Sequence, residues 1–297
     1  MIRMVVSDLD GTLLGAKSKI SEENIKAIRL LQKAGIEFVI ASGRDRHSVE
    51  PFLHEHSLQC ACILGNGAQY VDKDWHEISN AYLRKAILPE IIRCFEAEKQ
   101  YYMIFANDGF YTGCDPYLAK RAFIERGIRK FGNTEADYRT GGRYADMPAA
   151  HLQKVTDWDR FIGEDRNILK VEGFAMTEEA VEKCQERLSA IPGTAYLSSF
   201  SDNIEVTDHL AQKGLILQKV CREKNIAENE VMVIGDGMND LSMFTCFPTW
   251  SCAPANAVEE IRKRAAYIVA DHKKNGFSEA VGIALRTLRR NMYKPIN

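Results

Sequence analysis

The chain has 297 residues, enough for two domains of ordinary size or one large one. Hydrophobic residues make up 45%, charged residues 27%, and the formal charge is -2, the make-up of an ordinary water-soluble protein. There is no strongly basic block, no apolar run of about 18 residues, and no basic segment leading into an apolar core at the start. These absences argue against a nucleic-acid partner, a membrane span and an export signal, so a cytoplasmic protein is expected. Of eight cysteines, Cys60 and Cys62 are the only close pair and no Cys-x-x-Cys occurs, which predicts reduced thiols and no zinc site.

Ile2–Val6 is a short apolar run, read as a strand. Ser21 is placed to cap a helix to about Ala34, with Ile25, Ile28 and Leu31 along one face and Gly35 as its stop. Ile36–Ala41 and Ala61–Leu64 predict two further buried strands. Leu88–Glu98 reads as a helix. Tyr102–Phe105 and Phe110–Thr112 flank Asn107-Asp108-Gly109, a hairpin signal. A strand over Ile168–Phe174, a helix over Thr177–Ala190 and strands over Thr194–Ser199 and Asn203–Thr207 follow. Then come a helix over Leu210–Glu223, a strand over Val231–Ile234, and helices over Ala255–Ala265 and Gly276–Asn291.

Alternating strands and helices at both ends imply an α/β fold with a parallel sheet covered on both faces. Strands that turn back locally in the middle imply an inserted α+β module. The expected organisation is a Rossmann-like core over 1–83 and 196–297, with an α+β cap over 84–195.

Four clusters follow predicted strands or open a helix. Asp8-Leu9-Asp10-Gly11-Thr12-Leu13 follows the first strand, and Ser42-Gly43-Arg44 the second. Lys213-Gly214 opens a helix, and Gly235-Asp236-Gly237-Met238-Asn239-Asp240 follows Val231–Ile234. Singly, each has a bland reading: a solvated turn, a helix cap, a surface lysine. Their functional reading rests on all four lying at one end of one sheet, the end where ligands bind in parallel sheets. Together they supply what phosphoryl transfer needs: a nucleophile, a divalent cation, donors to the phosphate oxygens and an acid/base. Asp8 and Asp236 are hard oxygen ligands that suit Mg²⁺. Ser42 offers a hydroxyl, and the Ser42–Gly43 backbone offers N–H groups at an expected helix start. Lys213 offers a point charge and Asn239 an amide.

These residues carry a resemblance. The chain resembles the haloacid dehalogenase superfamily, and within it the Cof-type hydrolases with a type IIB cap. The four clusters match the four motifs of that family, and Asn66-Gly67-Ala68 matches a further Cof-type turn. The resemblance implies Asp8 as the nucleophile that becomes an aspartyl-phosphate, and Asp10 as acid and then base. It implies Mg²⁺ held by Asp8, Asp236 and the Asp10 carbonyl, and phosphate held by Ser42, Gly43, Lys213 and Asn239. Asp240 would orient Lys213 or a metal-bound water. The implied activity is hydrolysis of small phosphate monoesters, such as sugar phosphates or phosphorylated cofactors. The cap would close over the site and choose the leaving group. A monomer or homodimer is expected.

The sequence departs from the family pattern at Pro254, where Gly is usual, and at Gln212, where Ser is common. Arg44 reads first as an ion-pair partner and second as a substrate contact. Asn66 reads equally as a turn residue or a substrate contact. His47, His54, His56 and His76 form no metal-binding spacing, and Gly235-x-Gly237 lacks the third glycine of a dinucleotide fingerprint. Two other functions stay open. A phosphomutase would share the core residues, and a non-catalytic phosphometabolite-binding protein would be expected to lack Asp8, Asp10 or Asp236.

Overall fold

The computed structural model describes residues 1–15, 19–142, 144–198 and 201–292. The chain divides into two units, one over Met1–Ala81 and Leu210–Asn297, the other over Tyr82–His209.

The first unit is built on β1 (Met4–Asp8), β2 (Glu37–Ala41), β3 (Ala61–Leu64), β4 (Gln69–Val71), β5 (Glu77–Asn80), β12 (Val231–Ile234), β13 (Trp250–Pro254) and β14 (Tyr267–Val269). Their order across the sheet is β14-β13-β12-β1-β2-β3-β4-β5, parallel from β14 to β3 and antiparallel at β4 and β5. Among the described residues its α-helices are α1 (Glu22–Lys33), α2 (Arg46–Glu55), α7 (Lys213–Glu223), α8 (Leu241–Cys246), α9 (Glu259–Arg264) and α10 (Gly276–Met292).

Strand side chains alternate between two cores, as the pleat requires. Val5, Phe38, Ile40, Met232 and Ile234 pack with Ile25, Ile28 and Leu31 of α1 and with Phe277 and Val281 of α10. Met4, Val6, Val39, Val231 and Val233 pack with Ile216, Leu217 and Val220 of α7 and with Met243 and Phe244 of α8. Both sheet faces are therefore covered, which is why these strands read as unbroken apolar runs. Ser21 caps α1 as expected, its side chain accepting a hydrogen bond from the Asn24 N–H.

The second unit carries β6 (Tyr101–Ala106), β7 (Gly109–Thr112), β8 (Leu152–Lys154), β9 (Ile168–Phe174), β10 (Thr194–Leu197) and β11 (Asn203–Asp208), in the order β10-β11-β9-β6-β7-β8. Its helices are α3 (Leu88–Ala97), α4 (Pro116–Phe131), α5 (Trp158–Gly163) and α6 (Glu178–Ser189). Ile91, Ile92 and Phe95 of α3 and Val181, Cys184 and Leu188 of α6 pack on Tyr102, Ile104, Val171, Ile204 and Val206. The α/β core with an α+β insertion is thus present.

Three expectations need correction. The insertion ends at His209, not 195, because β11 pairs antiparallel with β9, and β10 with β11, to complete the second sheet. The helix expected over Leu210–Glu223 begins at Lys213. The one expected over Ala255–Ala265 is confined to Glu259–Arg264, because the Val258 N–H donates to the Asp236 carbonyl instead. No helix among the described residues is long and apolar enough to cross a membrane.

Candidate active site

In the first unit β1 is the strand of reversal: the chain builds β2 and β3 on one side of it, and β12 to β14 on the other. Open parallel sheets bind ligands beyond the carboxyl ends of their strands at such a switch point. Asp8 ends β1, and Asp236 follows β12, its neighbour by parallel pairing. Asp8 also lies in register with Ala41, so Ser42 stands just past the adjacent strand end.

Lys213 opens α7, and its side chain is fully buried. Its Nζ donates to Asp8 Oδ1 and to Asp240 Oδ1, each at 2.6 Å. The second oxygen of Asp240 accepts from the Asp236 and Gly237 N–H groups at 2.9 and 3.0 Å. Asp240 therefore has both oxygens engaged and serves to hold Lys213 and the Asp236 loop in place.

Thr12 Oγ1 donates to Asp236 Oδ1 at 2.7 Å, tying the first motif to the fourth. Gly11 has φ +81°, and a Cβ there would stand 2.4 Å from Asp236 Oδ2. Only glycine satisfies both the left-handed backbone and the close approach.

Oxygens of Asp8, Asp236 and Asp240 lie within 4.8 Å of one another. Burial drives the Asp8 carboxyl well above the usual carboxylate range, and Lys213 only partly offsets it. Burial, then the Asp240 charge, lifts Asp236 to about 6 against the Thr12 hydrogen bond. Burial alone would push the Lys213 ammonium down, but Asp240 and Asp8 outweigh it and hold the ammonium charged. Three acids thus share one buried cation. The donor set is all oxygen and carries excess negative charge, so it fits a hard divalent cation. Asp8 and Asp236 are the carboxylates with capacity left for such an ion.

The remaining predicted residues surround this cluster unequally. Asp10 lies outside it: its side chain is half exposed and meets Arg44 in a two-bond fork, Nε to Oδ2 at 2.8 Å and NH2 to Oδ1 at 2.6 Å. Ser42 and Gly43 precede α2 by several residues and do not begin it. The Ser42 N–H donates to the Ile63 carbonyl, so the expected helix-start anion site is not formed there. The Ser42 hydroxyl accepts from the Arg44 N–H at 3.1 Å.

Asn66 is buried with φ +60°, and its Oδ1 accepts from Asn239 Nδ2 at 3.2 Å. The same oxygen would stand 2.9 Å from a Cβ on Gly43. Gly67, with φ +107°, lets the turn approach the Gln212 backbone, where a Cβ would meet the Gln212 carbonyl carbon at 2.5 Å. Asn66 and Gly67 thus brace Gly43, Asn239 and the start of α7 together.

Two contributors were not read from the sequence. Thr12 stands inside the hexad, and its hydroxyl next to an acidic pair was the available signal. Asn256 bridges distant loops, Nδ2 donating to the Gly11 carbonyl at 2.8 Å and Oδ1 accepting from the His272 N–H at 2.9 Å. Its signal was its place in Ser251–Ala257, the stretch after the fourth motif that borders the site in the resembling family.

The model of the haloacid dehalogenase-like hydrolases matches residues 5–281. The chain belongs to that family. The Cof-type resemblance read from the motifs is borne out. Phosphatase YwpJ of Bacillus subtilis is 26% identical over 280 residues, spanning 93% of this chain and 97% of that protein. The 5-amino-6-(5-phospho-D-ribitylamino)uracil phosphatase YwtE of the same organism is 26% identical over 281 residues, 93% of this chain and 95% of its own length. A solved haloacid dehalogenase-like hydrolase from B. subtilis superposes with a TM-score of 0.80 at 25% identity, covering 95% of this chain and 99% of its own. This chain is an enzyme of the same hydrolase family.

Proposed function

We propose that the protein is a divalent-metal-dependent phosphatase that hydrolyses small phosphate monoesters through an aspartyl-phosphate on Asp8. The observation that carries this is the buried Lys213 ammonium held between Asp8 and Asp240 beside the third acid, Asp236. Such a group presents a nucleophile and fixed positive charge in a place where a phosphate dianion needs both. The named activities of YwpJ and YwtE, both phosphatases, support the class.

Asp8 and Asp236, with the Asp10 carbonyl, would hold the cation. When bound, it spreads the charge on the phosphate oxygens. Asp8 attacks phosphorus, and the ester P–O bond breaks as Asp10 gives its proton to the leaving alcohol. Water then attacks the phosphorus of phospho-Asp8 and gives a proton to Asp10, and the Asp8 Oδ–P bond breaks to free the Asp8 carboxylate and release inorganic phosphate. Lys213, Ser42 and Asn239 bind the phosphate oxygens in both steps. Choice of the leaving group would fall to the inserted unit, as the Cof-type resemblance implies. Small phosphorylated metabolites are the substrate class.

The test is hydrolysis of an aryl phosphate by the purified protein, followed by a panel of phosphorylated metabolites. Turnover abolished by a chelator and restored by Mg²⁺, with a phosphorylated Asp8 trapped by rapid quench, is the expected result. Metal-independent turnover, or phosphate found on another residue, would overturn it.

A further inference from the structure

We infer that Arg44 is a positioning residue that acts through Asp10, and that it does not bind the transferring phosphate. The inference rests on the phosphatase reading, which gives Asp10 its proton-transfer role.

Arg44 engages both oxygens of Asp10, the planar geometry in which a guanidinium matches a carboxylate. The side chains are 32% and 50% exposed. An ion pair that open contributes little to the stability of a fold, so the fork needs another reason. The arginine backbone is itself fixed: its N–H donates to Ser42 Oγ at 3.1 Å and its carbonyl accepts from the Gly65 N–H at 2.9 Å. The positive charge on Asp8, by contrast, comes from Lys213. Arg44 is therefore anchored beside the phosphate-binding hydroxyl while its guanidinium is directed to the acid/base.

This arrangement decides where Asp10 waits. Its carboxyl lies on a two-residue tether from Asp8, half in solvent, where an unrestrained side chain samples several rotamers. The fork holds one of them. For proton transfer to the leaving oxygen, one Asp10 oxygen must leave the fork. The second bond to Arg44 keeps the group close while it does so. Arg44 exchanges no proton. The Asp10 oxygen that has left the fork carries the proton and gives it to the leaving oxygen as the P–O bond breaks; the same oxygen takes a proton from the attacking water as the Asp8 Oδ–P bond breaks. Lysine, a point charge, can attract the carboxylate but cannot hold its plane.

A double-mutant cycle on the full chain with Mg²⁺ tests this. With an alkyl phosphate, whose poor leaving group needs the acid, Arg44→Ala should lower kcat about tenfold with KM within about twofold, the mark of lost orientation. Arg44→Lys should recover only part of that loss. In an Asp10→Ala background, the same Arg44→Ala change should cost less than about twofold, because residues acting as one unit are not additive. Calorimetry with inorganic phosphate should give the same affinity for wild type and Arg44→Ala. An equal loss of kcat in both backgrounds, or phosphate binding weakened by Arg44→Ala, would overturn the inference while leaving the phosphatase reading intact. A wild-type protein inactive on every phosphate ester would overturn both.

Discussion

Lys213 in the first unit and Lys170 in the second make an instructive pair. Both are buried lysines held by two carboxylates. Lys170 Nζ donates to Glu205 at 2.7 Å and to Glu172 at 3.2 Å, and lies 4.4 Å over the Phe105 ring. Burial pulls both ammonium groups down, and their acids hold both up. Burial and a perturbed pKa therefore do not separate a site from a clamp.

What separates them is placement. Glu172 and Glu205 face each other in mid-strand register on β9 and β11, so Lys170 ties one strand to the next. Asp8 is the last residue of β1 and Asp240 stands beyond β12, and a third acid, Asp236, adds a negative charge that the cluster does not balance. The Lys170 clamp sets one ammonium against two carboxylates in mid-strand, whereas Lys213 faces three acids at the end of a parallel sheet, where ligands bind.

The comparison breaks first on Asp8, the proposed nucleophile. Asp8→Asn should lower aryl-phosphate turnover by about 10⁴-fold or more while the protein still melts cooperatively, as loss of a nucleophile does. Near-normal turnover would remove Asp8 from the chemistry. Next come the two lysines. Lys213→Ala should lower turnover by about 10²–10³-fold, the usual share of one charge-stabilising donor. Lys170→Ala should instead cost about 3–5 kcal/mol of stability through its stranded glutamates, read as a shifted denaturation midpoint. Its aryl-phosphate turnover per folded molecule should stay within about twofold of wild type. The reverse pattern would mean that the two clusters have been assigned the wrong way round.

A smaller effect sharpens the metal side. Thr12→Val removes the hydrogen bond that orients Asp236 and should weaken Mg²⁺ binding by about 10–100-fold in calorimetry. The mildest is a pH dependence. A carboxyl held at about 6 keeps its proton below that pH, and the cation needs the carboxylate. Mg²⁺ affinity should therefore fall as pH drops below about 6, with protons released on binding there and few at pH 8. Without metal the sign reverses for stability. The raised Asp236 favours the metal-free fold fully below about pH 4, and that contribution disappears as pH rises through about 6. Binding that releases no protons at pH 6 would contradict this account of Asp236.

Much of this was legible in the residues themselves, because the four motifs are short, local and chemically unusual. Asp8, Lys213, Asp236 and Asp240 come together as their strand-end positions implied. The relation of Asp10 to Arg44 was not, since a fork between residues 34 apart depends on how the loops fold. The third strand pair shows a different limit. Gln69–Val71 and Glu77–Asn80 are short and partly polar, so β4 and β5 give no apolar run to detect. The helix expected to start at Ser42–Gly43 begins instead at Arg46, behind Asp45 as its N-cap residue. The end of the insertion was misjudged because strand pairing, not composition, assigns β10 and β11 to the second sheet.

The central place of β1 also governs how the polypeptide can be made. Ser7 of β1 is in register with Ile234 of β12. At about 5–20 residues per second, a ribosome takes tens of seconds to deliver the second after the first. Throughout that interval one long side of β1 lacks its neighbour, an open hydrogen-bonding edge of the kind that recruits foreign strands. The continuous stretch from Tyr82 to His209 emerges whole in the meantime. A version permuted to start at Leu210 would bring β12 and β1 closer along the chain and shorten the wait.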